Sequence, residues 1–334
     1  MTWRERRIVT RLSAILCVLV VAVVMALGAR YRTSRDQTGA SSSAVAAAAA
    51  EEHSACTALT YYNGSVTLDF SRSDSGKWVW TADPDFPLDD SRITSILELL
   101  ADMEPQQTLE TVESLEALGL DSPAATISAT YDGGAIFTLD FGNATTDGTS
   151  FYAMKNGQES PVYIYPGDIM ELMKTGVYDM CDLPELPDLS EEKVQRVTIQ
   201  GVADADGVVP RSTVDAAGEG ETLSWTCGGT DVTDSQRVRD LFTDLAGLEV
   251  TQCVLYRPSD EAADLCGFTA PAATLWANYT TSTNLEGHFQ LVIGGLTLDG
   301  QARYVRVGDD FTIYRIPVET LDSILVIALS GFQE

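Results

Sequence analysis

Histidine is almost missing from this chain, with His53 and His288 the only two in 334 residues. A histidine-based triad would have to be built on one of them, and neither stands in a catalytic motif. No G-x-S-x-G, H-E-x-x-H or G-x-x-x-x-G-K-[ST] run occurs, so the signatures of α/β-hydrolases, zinc proteases and P-loop nucleotide binders are absent. The six cysteines form no C-x-x-C, which removes the usual zinc and thioredoxin-type spacings. Positive charge is scarce as well: 21 Lys and Arg stand against 49 Asp and Glu, a formal net charge of −28. Seven of those 21 lie in the first 35 residues, so the remainder is more acidic still. A field of that sign repels phosphate backbones and anionic lipid heads, and nucleic acid is excluded as an expected partner of the globular part.

What is present begins with an apolar run. Residues 12–28, LSAILCVLVVAVVMALG, carry no charge and follow Arg4, Arg6, Arg7 and Arg11. Seventeen residues are about the minimum for a spanning helix. Arg30, Arg32 and Arg35 follow at once, so a retained anchor is expected, with a signal peptide cut near Ala26-Leu27-Gly28 as its rival. The charge bias alone is modest; the large acidic part sets the orientation, with residues 1–11 as a cytoplasmic tail and the bulk outside the cell membrane. Residues 29–55, rich in Ala and Ser, read as a flexible tether.

Beyond residue 55 the strongest signal is self-similarity. GLDSPAATISATY at 119–131 recurs as GFTAPAATLWANY at 267–279, identical at seven of thirteen positions in constant register. The flanks repeat in the same order. KWVWT around Trp78 matches LSWTC around Trp225, and each is followed by a segment with one apolar stripe: Ile93, Ile96, Leu97, Leu100 and Met103, then Val238, Leu241, Phe242, Leu245 and Leu248. Such a stripe predicts an amphipathic helix in each copy. Asp90 or Ser91 and Thr233 or Asp234 are the expected N-caps. Strands are expected at 125–131, 135–141, 150–154 and 162–165, and again at 273–279, 288–293, 302–307 and 311–316, with helices at 167–175 and 318–329 closing the copies.

The fold expected is therefore α+β: two tandem copies of an antiparallel-sheet module with helices on one face, preceded by one transmembrane helix. The modules span 56–182 and 194–334, joined by a stiff connector at 183–193 that holds Pro184 and Pro187. In the repeated element, Gly119 and Gly267 suit a left-handed helix end, and Pro123 and Pro271 suit entry into an edge strand.

Candidate sites are few. Asp204-Ala-Asp206-Gly207 opens like a calcium loop but lacks the closing glutamate, and reads as a polar turn. Asp83, Asp85, Asp89 and Asp90 crowd around Pro84 and Pro87, where turn formation and a helix N-terminus account for them. No metal, cofactor or catalytic residue is expected. Trp78, Trp80, Trp225 and Trp276 all fall in strand patterns and are expected in the core. Export makes disulfides plausible; spacing suggests Cys253 with Cys266 and Cys56 with Cys181, leaving Cys227 over.

With the anchor, the KWVW strand, the DDSRITSILELLADM helix, and GLDSPAATISATYDG followed by LDFGN and FYAMKNG, the chain resembles the bacterial domain of unknown function 4340 family. Its most specific markers are Trp78, the Gly119-Leu120 element with Pro123, and a Phe141-Gly142 turn before Tyr152-Ala153. The resemblance implies a membrane-anchored extracytoplasmic protein, commonly encoded beside an ABC transporter of the type linked to gliding motility, and it carries no assigned catalytic residue. The function expected is a non-enzymatic accessory or scaffold protein tethered to the cytoplasmic membrane and working with a transporter or envelope assembly. The alternatives are an exported carboxylate-dependent hydrolase with its site between the modules, and a surface module that binds glycans or peptides.

Overall fold

The computed structural model describes residues 56–218 and 220–332. The apolar run at 12–28 and the tether lie outside them, and among the described residues no helix is long and apolar enough to cross a membrane. The chain divides into two compact units, the first formed by residues 56–84 and Asp90–Lys174, the second by Asp85–Asp89 and residues 175–332.

The first unit contains β1 (Cys56–Tyr62), β2 (Thr67–Arg72), β3 (Trp78–Trp80), helix α1 (Asp90–Asp102), β4 (Gln107–Leu109), β5 (Ala125–Tyr131), β6 (Ile136–Ala144), β7 (Ser150–Lys155), β8 (Val162–Pro166) and α2 (Asp168–Met173). Its strands form one sheet in the order β3-β2-β1-β5-β6-β7-β8-β4, antiparallel at every pairing.

The second unit contains β9 (Val194–Gln200), β10 (Arg211–Ala217), β11 (Ser224–Cys227), β12 (Thr230–Asp231), α3 (Gln236–Ala246), β13 (Gln252–Leu255), α4 (Asp260–Leu265), β14 (Ala273–Thr280), β15 (Glu286–Leu296), β16 (Ala302–Val307), β17 (Ile313–Pro317) and α5 (Asp322–Ser330). Its order, β12-β11-β10-β9-β14-β15-β16-β17-β13, repeats that of the first sheet with β12 added at one edge. The chain lays down three strands in the first unit and four in the second, crosses by a helix to place a short strand at the far edge, and then fills the interval with a four-strand meander.

Strand alternation decides the faces. In β5 the residues Ala125, Ile127, Ala129 and Tyr131 are buried, and the intervening Thr126, Ser128 and Thr130 are half-buried. In β14 Ala273, Leu275 and Ala277 point into the core. Helices cover that inner face: α1 buries Ile93, Ile96, Leu97 and Leu100 and packs on β3 and α2, while α5 packs on β9, β10 and β14 and against α3. Each such aliphatic side chain contributes about 1.5–3 kcal/mol on burial. Trp225, fully buried, lies 4.6 Å from Phe242 of α3.

The repeated element has a steric cause. Gly119 ends a 3-10 turn, Glu116–Leu118, with φ +70°, and Gly267 follows α4 with φ +85°. Both are left-handed positions that glycine adopts without a Cβ clash. The backbone just before each then presses onto the sheet. A Cβ on Gly142 would meet the Leu118 carbonyl oxygen at 2.2 Å, and one on Gly294 would meet the Cys266 carbonyl oxygen at 2.4 Å. Both glycines sit in strands whose register slips there, between Phe141 and Ala144 in β6 and between Ile293 and Leu296 in β15. The Phe141-Gly142 pair is thus a strand bulge rather than a turn, and the bulge makes room for the incoming chain.

Several expectations need correction. Pro123 and Pro271 do not open edge strands; β5 and β14 are central, and each proline stands two residues before its strand, outside the ladder. The N-cap of α3 is Ser235, not Thr233 or Asp234, because the Thr233 hydroxyl is engaged with the Trp225 amide at 2.8 Å and with Asp231. The Pro-rich connector, expected to be stiff, has Leu189 buried, and its residues 183–189 line a cleft with the segment 245–250.

Alanine at Gly142 or Gly294 is expected to destabilise the protein by about 1–3 kcal/mol, since backbone must move to admit a methyl group. Alanine at Gly247, whose Cβ would meet nothing nearer than 3.6 Å, is expected to stay within about 0.5 kcal/mol. Urea unfolding of the three variants checks the contrast; equal losses at Gly294 and Gly247 would contradict the steric account.

Candidate functional site

Two places in the molecule gather polar side chains. The first is the outer face of each sheet, the one opposite the core. In the first unit, cross-strand register aligns Asp69, Thr60, Ser128 and Thr138 in one row and Thr67, Tyr62, Thr126 and Asp140 in the next. Their side chains bond to one another: Thr60 donates to Asp69 at 2.7 Å, Thr126 to Asp140 at 3.0 Å, and Ser128 and Thr138 share a hydrogen at 3.1 Å. In the second unit the rows are Asp215, Arg196, Asn278 and His288, then Thr213, Thr198, Trp276 and Gln290. Arg196 pairs with Asp215, Thr198 meets Thr213 at 3.0 Å, and the Arg211 guanidinium lies 5.2 Å from the centre of the Trp276 ring. Further along, Arg306 stacks on Phe268 at 4.3 Å. The first face is built of hydroxyls and acids, the second of arginine, amide and aromatic groups.

The second place is a groove of about 450 Å³ in the second unit, lined by residues 176–179, Gln252, Cys253 and Val254 of β13, the turn Thr297–Asp299, Tyr304 and Arg315. A polar chain crosses it. Gln252 donates to Asp179 at 2.8 Å, Arg315 reaches Gln252 at 3.5 Å and Asp299 at 3.0 Å, and the Thr297 hydroxyl donates to Asp299. Three donors from Thr297, the Gln301 amide and Arg315 hold the Asp299 carboxyl down at about 2. Every polar group named in that chain is engaged inside the protein.

Two buried thiols lie beside the groove, Cys253 and its neighbour Cys181, whose S–H donates to the Asp182 carbonyl at 3.5 Å. The interaction between the two thiols lowers Cys181 and, together with burial, pushes Cys253 upward, so the pair titrates as a unit. Tyr314, opposite Cys253 on β17, donates to Asp310 at 2.8 Å, and burial raises it too.

A family model described as Domain of unknown function (DUF4340) matches residues 78–271, more than half of the chain. The chain belongs to this family. No curated protein and no solved structure matches it. The DUF4340 match runs from Trp78 in β3 to Pro271 just before β14, so it begins on the third strand of the first unit and ends on the repeated element of the second.

Within this DUF4340 chain the repeat markers are structural. Trp78 is buried with the Arg72 guanidinium 4.9 Å from its ring, and Trp225 is buried with its indole N–H donated to Glu191 at 2.8 Å. Trp276 departs from expectation: it belongs to the outer face and is only half-buried, because its position in β14 alternates with the core residues Leu275 and Ala277. His288 is exposed on the same face, 3.2 Å from Asn278. The turn at Asp204 closes on itself, its carboxylate accepting from the amides of Asp206 and Val208. Asp85 pairs with Arg257 at 3.2 Å, and among the described residues no three His, Cys, Asp or Glu side chains gather as a metal site.

The five cysteines of the described residues are free thiols. Neither expected pair, Cys253 with Cys266 or Cys56 with Cys181, is joined: Cys253 neighbours Cys181, while Cys266 lies near Arg306 and the Cys56 thiol donates to the Ala58 carbonyl at 3.5 Å. Burial lifts Cys56 to about 11. Sequence spacing missed the Cys181–Cys253 contact because β13 is placed at the sheet edge by a crossover that no local pattern announces.

Because Asp299 has a depressed carboxyl in the folded state, its contribution is complete above the ordinary value of 3.8 and is lost as pH falls through about 2. The urea midpoint difference between wild type and Asp299→Asn is therefore expected to be constant from neutral pH to about pH 5 and to shrink between about pH 4 and pH 2. A difference independent of pH over that interval would show that the turn needs the side chain's shape and not its charge.

Proposed function

We propose that the protein is a non-enzymatic accessory or scaffold body, held outside the cytoplasmic membrane by the apolar run at 12–28 and serving an ABC-type transporter or another envelope assembly. One observation carries the reading: the open sheet face is present twice, on the same strand order, with its polar side chains arranged in cross-strand rows. A duplicated, hydrogen-bonding sheet face suits contact with an extended protein surface better than capture of a small molecule. The shifts in proton affinity support the same reading. The aspartates that move, Asp147, Asp188, Asp231 and Asp299, are lowered by hydrogen bonds in turns, and Tyr165 is raised to about 12 by burial. Those are the marks of groups locked in one protonation state, whereas proton-transfer catalysis needs groups poised near the working pH.

A photo-crosslinking residue placed at Ser128 or Gln290, both on the open faces, is expected to capture an envelope or transporter subunit in living cells. The same residue at Asp147, in an exposed turn, is expected to capture none. A C-terminal alkaline phosphatase fusion is expected to be active, as it is only outside the cytoplasm. An inactive fusion, or a chain that stays uncrosslinked from both faces, would count against the proposal.

The aromatic outer face of the second unit favours one further reading, a module for glycans or peptides, since Trp276 with Arg211 over its ring is a stacking platform of the kind such ligands use. Trp276→Ala is then expected to weaken glycan-array or peptide-array binding at least tenfold with little change in melting temperature. Unchanged binding would remove this alternative.

A further inference from the structure

We infer that Cys181 and Cys253 are a disulfide-forming pair, a covalent staple between the segment that follows Lys174 and the edge strand β13 of the second sheet. Both side chains are buried, at 7% and 1% exposure, and they lie close enough to act on each other's protons, while the Cys181 thiol itself donates to the Asp182 carbonyl at 3.5 Å. The backbone on each side is fixed. The turn Val177–Met180 packs on β13, and Gln252 beside Cys253 donates to Asp179 at 2.8 Å. Cys181 forms an isolated antiparallel bridge with Leu88, flanked by hydrogen bonds from Asp89 to the Met180 carbonyl at 2.8 Å and from Asp182 to the Pro87 carbonyl at 2.7 Å. Phe86 of the same short segment stacks edge-on against Tyr256, 5.3 Å away, next to the end of β13. Neither sulfur has to be brought to the other by a loop closing; the fold has done it.

The chemistry is thiol–disulfide exchange with an external oxidising disulfide. Cys181 is the first attacker in this scheme, its thiolate favoured by the neighbouring Cys253 thiol and opposed by burial and by the charges of Asp182 and Asp310. Its sulfur attacks one sulfur of the oxidant, the oxidant's S–S bond breaks, and one oxidant thiol departs with a proton. The Cys253 sulfur, giving up its proton, then attacks the mixed disulfide at Cys181 and displaces the second oxidant thiol. Two protein thiols are oxidised and one oxidant disulfide is reduced to two thiols. The capacity belongs to the folded second unit and does not depend on where the chain resides, so it stands or falls separately from the scaffold reading.

The test uses the full-length chain in mild detergent, unfolded in urea with reductant and refolded in glutathione redox buffer, so that burial bars no pairing. After alkylation, a non-reduced peptide map is expected to show the Cys181 peptide joined to the Cys253 peptide and every other cysteine alkylated. The oxidised protein is expected to melt roughly 5–10 °C above the reduced one, because the link closes a long loop in the unfolded chain. Cys181→Ala is expected to abolish both the link and the redox dependence of melting. Linkage of Cys253 to Cys266, alkylation of all thiols after redox refolding, or a Cys181–Cys253 link with no rise in melting temperature would each overturn the inference.

Discussion

Backbone pressed on backbone is the constraint around which each half of this protein is arranged. In the first unit the chain leaving the turn Glu116–Leu118 runs so close to β6 that only hydrogen fits at Gly142; in the second the chain leaving α4 does the same at Gly294. The contact is reinforced in each case by a hydrogen bond, from the Asn143 side chain to the Ala117 carbonyl at 3.2 Å and from the Gly295 amide to the Cys266 carbonyl at 2.8 Å. A left-handed glycine then turns the chain, and proline two residues ahead of the strand keeps the ladder from starting early. From that point β5 or β14 is aimed into the middle of the sheet, beside a strand laid down far earlier in sequence. Without the close approach the central strand has no fixed entry, and the meander that follows has no template to pair with.

This contact also explains which parts of the architecture were legible beforehand. The motif G-[LF]-x-x-P-A-A-T was visible because its residues are demanded by φ, by a missing amide and by van der Waals distance, which are local requirements written into residue type. The stripes of α1 and α3 were visible for the same reason, since Ile93, Ile96, Leu97 and Leu100 must share a face to be buried. What stayed hidden depends on partners distant in sequence. β4 and β13 are three and four residues long and owe their existence to pairing with β8 and β17. The helix α4 has only a 3-10 turn as its counterpart in the first unit, so the copy could not predict it. Asp85–Asp89 sits in a run that reads as a turn before α1, yet it packs with the second unit, held by Arg257, Tyr256 and the backbone beside Cys181.

The candidate site shows the same division. Alternation in β14 was read correctly as a strand, but the parity of Trp276 was not, and a shift of one residue moves a side chain from core to surface. Its neighbours decide the matter: Leu275 and Ala277 are both buried, so Trp276 must face outward. The rows of Thr, Ser and Asp on the first unit and of Arg, Asn and His on the second follow from that parity together with strand register. That register is a property of which strands pair and at what offset, not of the composition of the rows themselves.

The acid residues also do more than lend solubility. Asp147, Asp188, Asp231, Asp204 and Asp299 each accept amide or hydroxyl hydrogens within their own turns. Such carboxylates replace water at backbone donors that a tight turn leaves without partners. A chain rich in antiparallel hairpins needs many tight turns, and aspartate is the side chain that satisfies their amides while keeping charge in solvent. Part of the acidity is therefore a consequence of the topology. A fold of this kind accumulates negative charge turn by turn, and three arginines balance it locally: Arg196 on Asp215, Arg257 on Asp85, Arg315 on Asp299. Arg211 and Arg306 are spent differently, against the rings of Trp276 and Phe268, and that sets the outer face of the second unit apart from its counterpart in the first.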